Sequence, residues 1–272
     1  METAYFENLL DSKRKRTVDA EEFWNGRAEQ FKANLRKNGG ERVEQLITLL
    51  SEKNLLKRDG TVLDIGCGIG RHAVEFAEKA GSVVGVDISA NMLHYARENS
   101  LSSGADNIEY VKLNWEAVDL SERCWEKYFD LVFASMCPAV RSKRGLEKMS
   151  LACKDYCFIN QYIEKKDSLG EELAEHLGLC GDFDPHNDRD AAYAIFNILW
   201  LEGYDPEITY LDDCRELIFT VAEAVEYYDG RLVEKLTDAQ REAVKPFFRT
   251  KAQDNIVQSV VRSKNMGIFW KA

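Results

Sequence analysis

The sequence predicts an α/β fold, a mostly parallel sheet with helices on both faces. Three observations predict it. Short apolar runs recur at 61–65, 82–87, 108–113, 129–134 and 156–163. Segments of helical periodicity, about ten residues long, lie between most of these runs. The first run ends in glycines spaced two apart, where a strand turns into a helix. Alternation of this kind means β-α-β units with right-handed crossovers. Ligands of such sheets bind outside the carboxyl ends of the strands, near the topological switch point.

The 272 residues are read as a single domain, 1–272, in four segments. Residues 1–58 are a helical N-terminal segment. Phe23, Trp24, Phe31 and Leu35 recur near helical spacing, and Val43, Leu46, Ile47, Leu49 and Leu50 form a second stripe beyond the break at Asn38-Gly39-Gly40. Residues 59–163 hold the five strands, with helices at 71–79, 90–99 and 143–152. Ser89 is placed to cap the second of these helices. Residues 164–213 interrupt the alternation with a helix around 171–178, a polar loop from Gly181 to Asp188 and a helix from Arg189 to Leu201. The remainder, 214–272, completes the sheet and helices. A strand or hairpin is expected at 207–220, helices at 220–228 and 237–258, and a closing strand at 266–271.

Composition narrows the partners. Hydrophobic residues make up 45% of the chain and charged residues 31%, enough for an ordinary buried core. The formal net charge is −11, which repels polyanions, so no nucleic-acid contact is expected. The one basic run, Lys13-Arg14-Lys15-Arg16, reads as a solvated helix face. No apolar run reaches about 18 residues, so no membrane-spanning helix is expected. The first ten residues lack a basic start followed by an apolar stretch. Seven cysteines, an odd number without a disulfide-scaffold spacing, fit reduced thiols and a cytoplasmic location.

The most informative stretch is Val62-Leu63-Asp64-Ile65-Gly66-Cys67-Gly68-Ile69-Gly70. Glycine is needed where the chain turns with positive φ or where backbone must approach a ligand closely. The spacing is not that of a dinucleotide loop, because Arg71 stands where a third glycine would. It is not a phosphate-binding P-loop either, because no Gly-Lys-Ser/Thr follows. Asp87 ends the next strand 21 residues beyond Gly66. A carboxylate there is placed to accept both hydroxyls of an adenosine ribose. The third strand runs into Asn114-Trp115, where an adenine ring would lie.

These residues resemble the class I S-adenosylmethionine-dependent methyltransferases. The match runs through Leu63-Asp64-Ile65-Gly66-Cys67-Gly68-Ile69-Gly70, Gly85-Val86-Asp87-Ile88-Ser89, Met92-Leu93 and Phe129-Asp130-Leu131-Val132. It covers roughly residues 20–160. The resemblance implies a Rossmann-like, seven-stranded sheet with a reversed last strand. It implies that Asp64, Gly66, Cys67, Gly68 and Gly70 face the methionine part of S-adenosyl-L-methionine. Asp87 takes the ribose, and Ile88 and Met92 flank the adenine. Many members carry Asp where this chain has Asn114; Asn accepts from the adenine amino group and also donates to the neighbouring ring nitrogen. Trp115 is placed to lie against the ring, with a core tryptophan as the competing reading. The N-terminal stretch Phe23-Trp24-Asn25-Gly26-Arg27-Ala28 resembles the cofactor lid of small-molecule members. Trp24 would line the site and Arg27 would pair with the methionyl carboxylate.

Methyl transfer from a sulfonium needs an in-line nucleophile and exclusion of water. A base is needed only if the nucleophile carries a proton. Ala134 and Ser135, at the end of the fourth strand, are expected beside the transferable methyl. Cys137 is expected to be a buried, inert thiol. Cys153 and Cys157 lack the second ligand pair of a metal site, so no metal is expected. His186, His176 and Tyr193 are the candidate bases, in the segment 164–213 read as an acceptor cap; Tyr162 and Tyr204 are further candidates to line the site. The expected activity is methylation of a small molecule at N, O or S. A protein or RNA methyltransferase is the alternative enzyme, and a non-catalytic S-adenosylmethionine sensor or subunit is the alternative of another class.

Overall fold

The computed structural model describes residues 3–13, 19–37, 40–179, 187–232 and 236–272. The strands are β1 (Thr61–Ile65), β2 (Ser82–Asp87), β3 (Ile108–Lys112), β4 (Phe129–Ser135), β5 (Cys153–Asp167), β6 (Glu207–Thr220) and β7 (Ile256–Lys271). Among the described residues they form one sheet in the order β3-β2-β1-β4-β5-β7-β6. Strands β1 to β5 pair in parallel. The order reverses at β1, which lies between β2 and β4, so the switch point falls at the end of the strand that carries the glycines.

The helices are α1 (Thr3–Lys13), α2 (Ala20–Asn25), α3 (Ala28–Lys37), α4 (Gly40–Glu52), α5 (Arg71–Ala77), α6 (Ala90–Ser103), α7 (Lys143–Ala152), α8 (Ser168–His176), α9 (Arg189–Leu201), α10 (Val221–Leu232) and α11 (Asp238–Lys251). Their ends follow local chemistry. Ser89 caps α6 by accepting from the Met92 amide at 3.1 Å, and Gly104, left-handed at φ 74°, closes it. Thr237 and Gln240 form a reciprocal capping box at the start of α11.

The chain divides into two compact units. The first comprises residues 1–161, 189–211 and 266–272. Its core joins Leu46, Ile47 and Leu50 of α4 to Val62, Val83, Leu131 and Phe133 of the sheet and to Phe158 and Phe269. In the same unit α1 packs on α9, with Phe6 edge-on to Tyr193 at 5.4 Å. The buried Lys148 ties down the loop after β3 by donating to the carbonyls of Trp115, Glu116 and Val118. The second unit comprises 162–188 and 212–265. It has a core of its own, with Leu169 and Leu173 of α8, Ala224 and Tyr228 of α10, and Val244, Phe247 and Phe248 of α11. The segment 164–213, read from sequence as one cap, is therefore shared: α8 belongs to the second unit and α9 to the first.

Three elements depart furthest from expectation. The helix expected at 237–258 ends at Lys251, and β7 begins at Ile256, ten residues before the predicted closing strand. Asp254 and Asn255 turn the chain in left-handed conformations, φ 51° and 63°, which these two residue types tolerate best after glycine. Strand β5 likewise continues through Glu164-Lys165-Lys166, a charged stretch that carries no apolar signal.

Candidate active site

The glycine loop, all of it in the first unit, is held tightly against β2. The Gly66 and Cys67 amides both donate to the Val86 carbonyl, at 2.8 and 3.0 Å. Gly66, Gly68 and Gly70 have φ of 67°, 55° and 76°, so the predicted need for positive φ is met at all three. Their surroundings differ. A Cβ on Gly66 would stand 2.5 Å from Cys137 Sγ, so that glycine admits the end of β4. A Cβ on Gly68 would meet nothing within 4 Å. Gly68 thus presents bare backbone to open space at the strand ends.

Two carboxyl groups frame this loop. Asp64 is 1% exposed, and its Oδ2 has no hydrogen-bond partner. Burial, with the Asp87 charge adding to it, pushes its carboxyl up to about 8. Asp87 accepts from the Gly68 amide at 2.9 Å and from the Ser89 amide at 2.8 Å. Burial raises it from the ordinary value, while these amide bonds pull against the rise.

The N-terminal helices close on the same loop. Trp24 and Ala28 pack with Ile69 of the glycine loop, Met92 and Tyr95. Asn25, the last residue of α2, accepts from Ser89 Oγ at 2.7 Å and from the Asn91 amide at 3.1 Å. Lys32 of α3 pairs with Glu98 of α6 at 2.8 Å and lies over the Tyr95 ring. At the other end of α2, Glu21 pairs with Lys112 at 2.6 Å. Asp19, Ala20 and Glu21 share a cavity of about 690 Å³ with Ile88, Lys112, Leu113 and Asn114. That is the place the sequence assigns to adenine.

At the next strand end, Ser135 lies in register with Asn160 of β5, and Asn160 Nδ2 donates to Ser135 Oγ at 3.0 Å. Ala134 is fully buried beneath them. Met136 takes a left-handed φ of 54°, with its amide on the Asn160 carbonyl at 2.8 Å. A non-glycine residue held there is strained, and such strain clusters at functional sites. The Cys137 thiol is pushed up to about 12 by burial, so it stays protonated and inert as expected.

The other sequence candidates fall as follows. Trp115 is buried, and its Nε1 donates to the Gly145 carbonyl at 3.2 Å. Asn114 turns its Oδ1 onto the Glu116 amide at 3.1 Å. The Arg27 guanidinium lies over the Phe23 ring, 4.5 Å from its centroid, in the exposed turn between α2 and α3. Tyr193, half exposed, packs on Phe6. His176 lies in the second unit with its ring 5.1 Å from that of Phe247. His186 lies outside the described residues. His72 is a core histidine between Phe76 and Phe133, and burial lowers it to about 3.

Sequence reasoning missed Asn25 and Asn160. Asn25 acts on Ser89 across 64 positions, and nothing local marks it. Asn160 carried one usable signal, a polar residue inside the apolar run 156–163.

The arrangement fits S-adenosylmethionine in two respects. Asp64 keeps a buried carboxylate oxygen without a partner, as a cationic amino group requires. Gly68 leaves open space beside its bare backbone, where a ligand has room to approach. Comparison with known proteins agrees. The fold is that of the class I methyltransferases. The chain is similar to a Bacillus halodurans C-125 protein assigned as a methyltransferase, with a TM-score of 0.53, 16% identity, and coverage of 85% of this chain and 99% of that one. It is also similar to the YcgJ protein of Bacillus subtilis, with a TM-score of 0.50, 15% identity, and coverage of 84% and 98%. Residues 56–179 match the family model of the methyltransferase domain. This segment therefore matches a methyltransferase domain and has the class I methyltransferase fold. Among curated relatives, the 23S rRNA (uracil(1939)-C(5))-methyltransferase RlmD of Shewanella sediminis is 30% identical over 164 residues, 57% of this chain and 35% of that protein. The ubiquinone biosynthesis O-methyltransferase of Nitrosomonas europaea is 36% identical over 90 residues, 33% of this chain and 34% of that protein. The chain thus spans about a third of the length of these two relatives. Among the described residues no helix is long and apolar enough to cross a membrane.

Proposed function

We propose that the protein transfers the methyl group of S-adenosylmethionine to a small-molecule N, O or S nucleophile. The observation that carries this reading is the lid. Trp24 and Ala28 are packed on Ile69 and Met92, so the chain's own helices stand over the Ile69 side of the glycine loop while the Gly68 side stays open. A partly covered loop suits a compact acceptor and helps exclude water from the reacting groups. The net charge of −11 favours a neutral or cationic acceptor over a polyanion.

When bound, the cofactor supplies an electrophilic methyl on a sulfonium. The chain's residues hold and orient it. Asp87 receives the ribose hydroxyls, and Asp64 faces the methionyl amino group. The backbone at Gly66, Cys67, Gly68 and Gly70 lets the ligand approach, with Arg27 set toward the methionyl carboxylate. Ile88, Met92 and Asn114 take the adenine, with Trp24 above the loop. Ala134 and Ser135 lie on the methyl side. Where the nucleophile carries a proton, His186, His176 and Tyr193 are the groups to test for its removal.

RNA methylation is the second reading, favoured by the 30% identity to the rRNA methyltransferase over 164 residues. One experiment separates the two. The purified chain is given radiolabelled S-adenosylmethionine with either a cell metabolite extract or total RNA. The proposal expects label in a small-molecule product identified by mass spectrometry. Label in RNA alone replaces it with the second reading. Cofactor binding with no label in either fraction leaves the sensor.

A further inference from the structure

We infer that Asn25 is a positioning residue that ties the lid to the ribose-binding carboxylate, so that lid closure and nucleoside binding form one event. The inference rests on the reading of Asp87 given above. Ser89 is the centre of the tie. It is fully buried, its amide donates to Asp87 Oδ1 at 2.8 Å, and its hydroxyl oxygen accepts from the Met92 amide. The single hydroxyl proton goes to Asn25 Oδ1 at 2.7 Å. A lid that swung away would break this hydrogen bond and the packing that goes with it. Asn25 Oδ1 also takes the Asn91 amide, and the Asn25 carbonyl takes Asn91 Nδ2 at 3.3 Å. The C-terminal end of α2 is thereby fastened to the turn that carries Asp87.

A second observation points to the ligand. The N-terminal end of α2 is a wall of the nucleoside cavity, through Asp19, Ala20 and Glu21. Asp19 caps that end by accepting from the Glu22 amide at 3.0 Å, and the Glu21–Lys112 pair fastens it to β3. Helix α2 therefore walls the cavity at one end and is tied to Asp87 at the other. Coupling between two sites is reciprocal. Ribose hydroxyls on Asp87 order the turn 87–92 and favour the closed lid, and the closed lid holds Asp87 ready for ribose.

Both contacts made by the Asn25 side chain are to its oxygen, so aspartate replaces it and alanine does not. The test compares the full chain with Asn25→Ala and Asn25→Asp. S-adenosylhomocysteine is the probe, read by calorimetry, stopped-flow release and hydrogen exchange over 20–33. Asn25→Ala is expected to bind about five- to tenfold more weakly, mostly through faster release, as loss of one hydrogen bond to a buried group predicts. It should also lose ligand-induced protection in the lid while exchange in β1 and β4 is unchanged. Asn25→Asp should restore affinity to within about threefold. Wild-type affinity and lid protection in Asn25→Ala overturn the inference, as does an Asp variant no better than Ala. If Asn25→Ala does not fold, Ser89→Ala breaks the tie from the other side, and retained lid protection there overturns it equally. Failure of the wild type to bind S-adenosylhomocysteine would instead refute the cofactor reading. The tie would then still be read from lid exchange alone.

Discussion

Asp64 holds a carboxyl group inside the first unit with one oxygen unsatisfied, and its chemistry depends on pH. Its folded value, about 8, lies far above the ordinary 3.8. A raised folded acid stabilises the fold fully below the unfolded value and loses that contribution as pH rises through the folded one. Stability should therefore fall between about pH 4 and pH 8 from this group. Asp64→Asn should flatten that dependence and raise the melting temperature at pH 8, as thermal denaturation across pH will read. A cationic amino group prefers the carboxylate, so cofactor affinity should climb with pH toward 8 in the wild type and release a proton below it. Calorimetry in two buffers of different ionisation enthalpy measures that proton, and no release would remove Asp64 from the ligand. Gly68→Val should keep the fold more easily than it keeps binding, because open space surrounds the new side chain but φ of 55° resists a β-branched residue. Soluble Gly68→Val with wild-type affinity would make the loop structural only. These positions were legible in sequence because positive φ and close approach leave few residue types to choose from. Asn25 was not, because its partner lies 64 residues away and any small polar residue at a helix end looks alike.

Helices and strands near the switch point follow their sequence signals closely. Strands β1 and β2 lie where the apolar runs placed them, and α7 and α9 keep their predicted bounds. Their patterns are set by burial on both faces of a parallel sheet, which leaves near-continuous apolar runs. Strands β5 and β7 were underestimated for the opposite reason. Their extensions carry Glu164-Lys165-Lys166 and the alternating Val257-Gln258-Ser259-Val260, and nearby helical periodicity masked them. Helix α11 shows how self-contained the second unit's core is. Phe248 is fully buried among Val244, Phe247 and Tyr228. Phe248→Ala should cost about 3–5 kcal/mol. Hydrogen exchange should locate the loss in α8, α10 and α11, with β1 to β4 still protected. Uniform loss across both units would mean that they unfold as one.

For the whole molecule, the sequence predicted the fold class, and the proposed cofactor side of the site was legible with it, because both rest on short, local signals. The proposed acceptor side was read only as a segment, 164–213, and the structure divides that segment between two units. Its bases stay proposals: Tyr193 is packed on Phe6, and His176 lies beside Phe247. The loop framed by Asp64 and Asp87 is the proposed binding site of S-adenosylmethionine. Calorimetry on the purified chain tests this most directly, with S-adenosylmethionine, S-adenosylhomocysteine and NAD titrated into wild type and Asp87→Ala. One site is expected for each of the first two ligands and none for NAD. At least about a tenfold loss is expected in the variant, since hydrogen bonds to a charged group contribute about 1.5–3 kcal/mol. No binding of either adenosyl ligand, or equal affinity in folded Asp87→Ala, would contradict the proposed site.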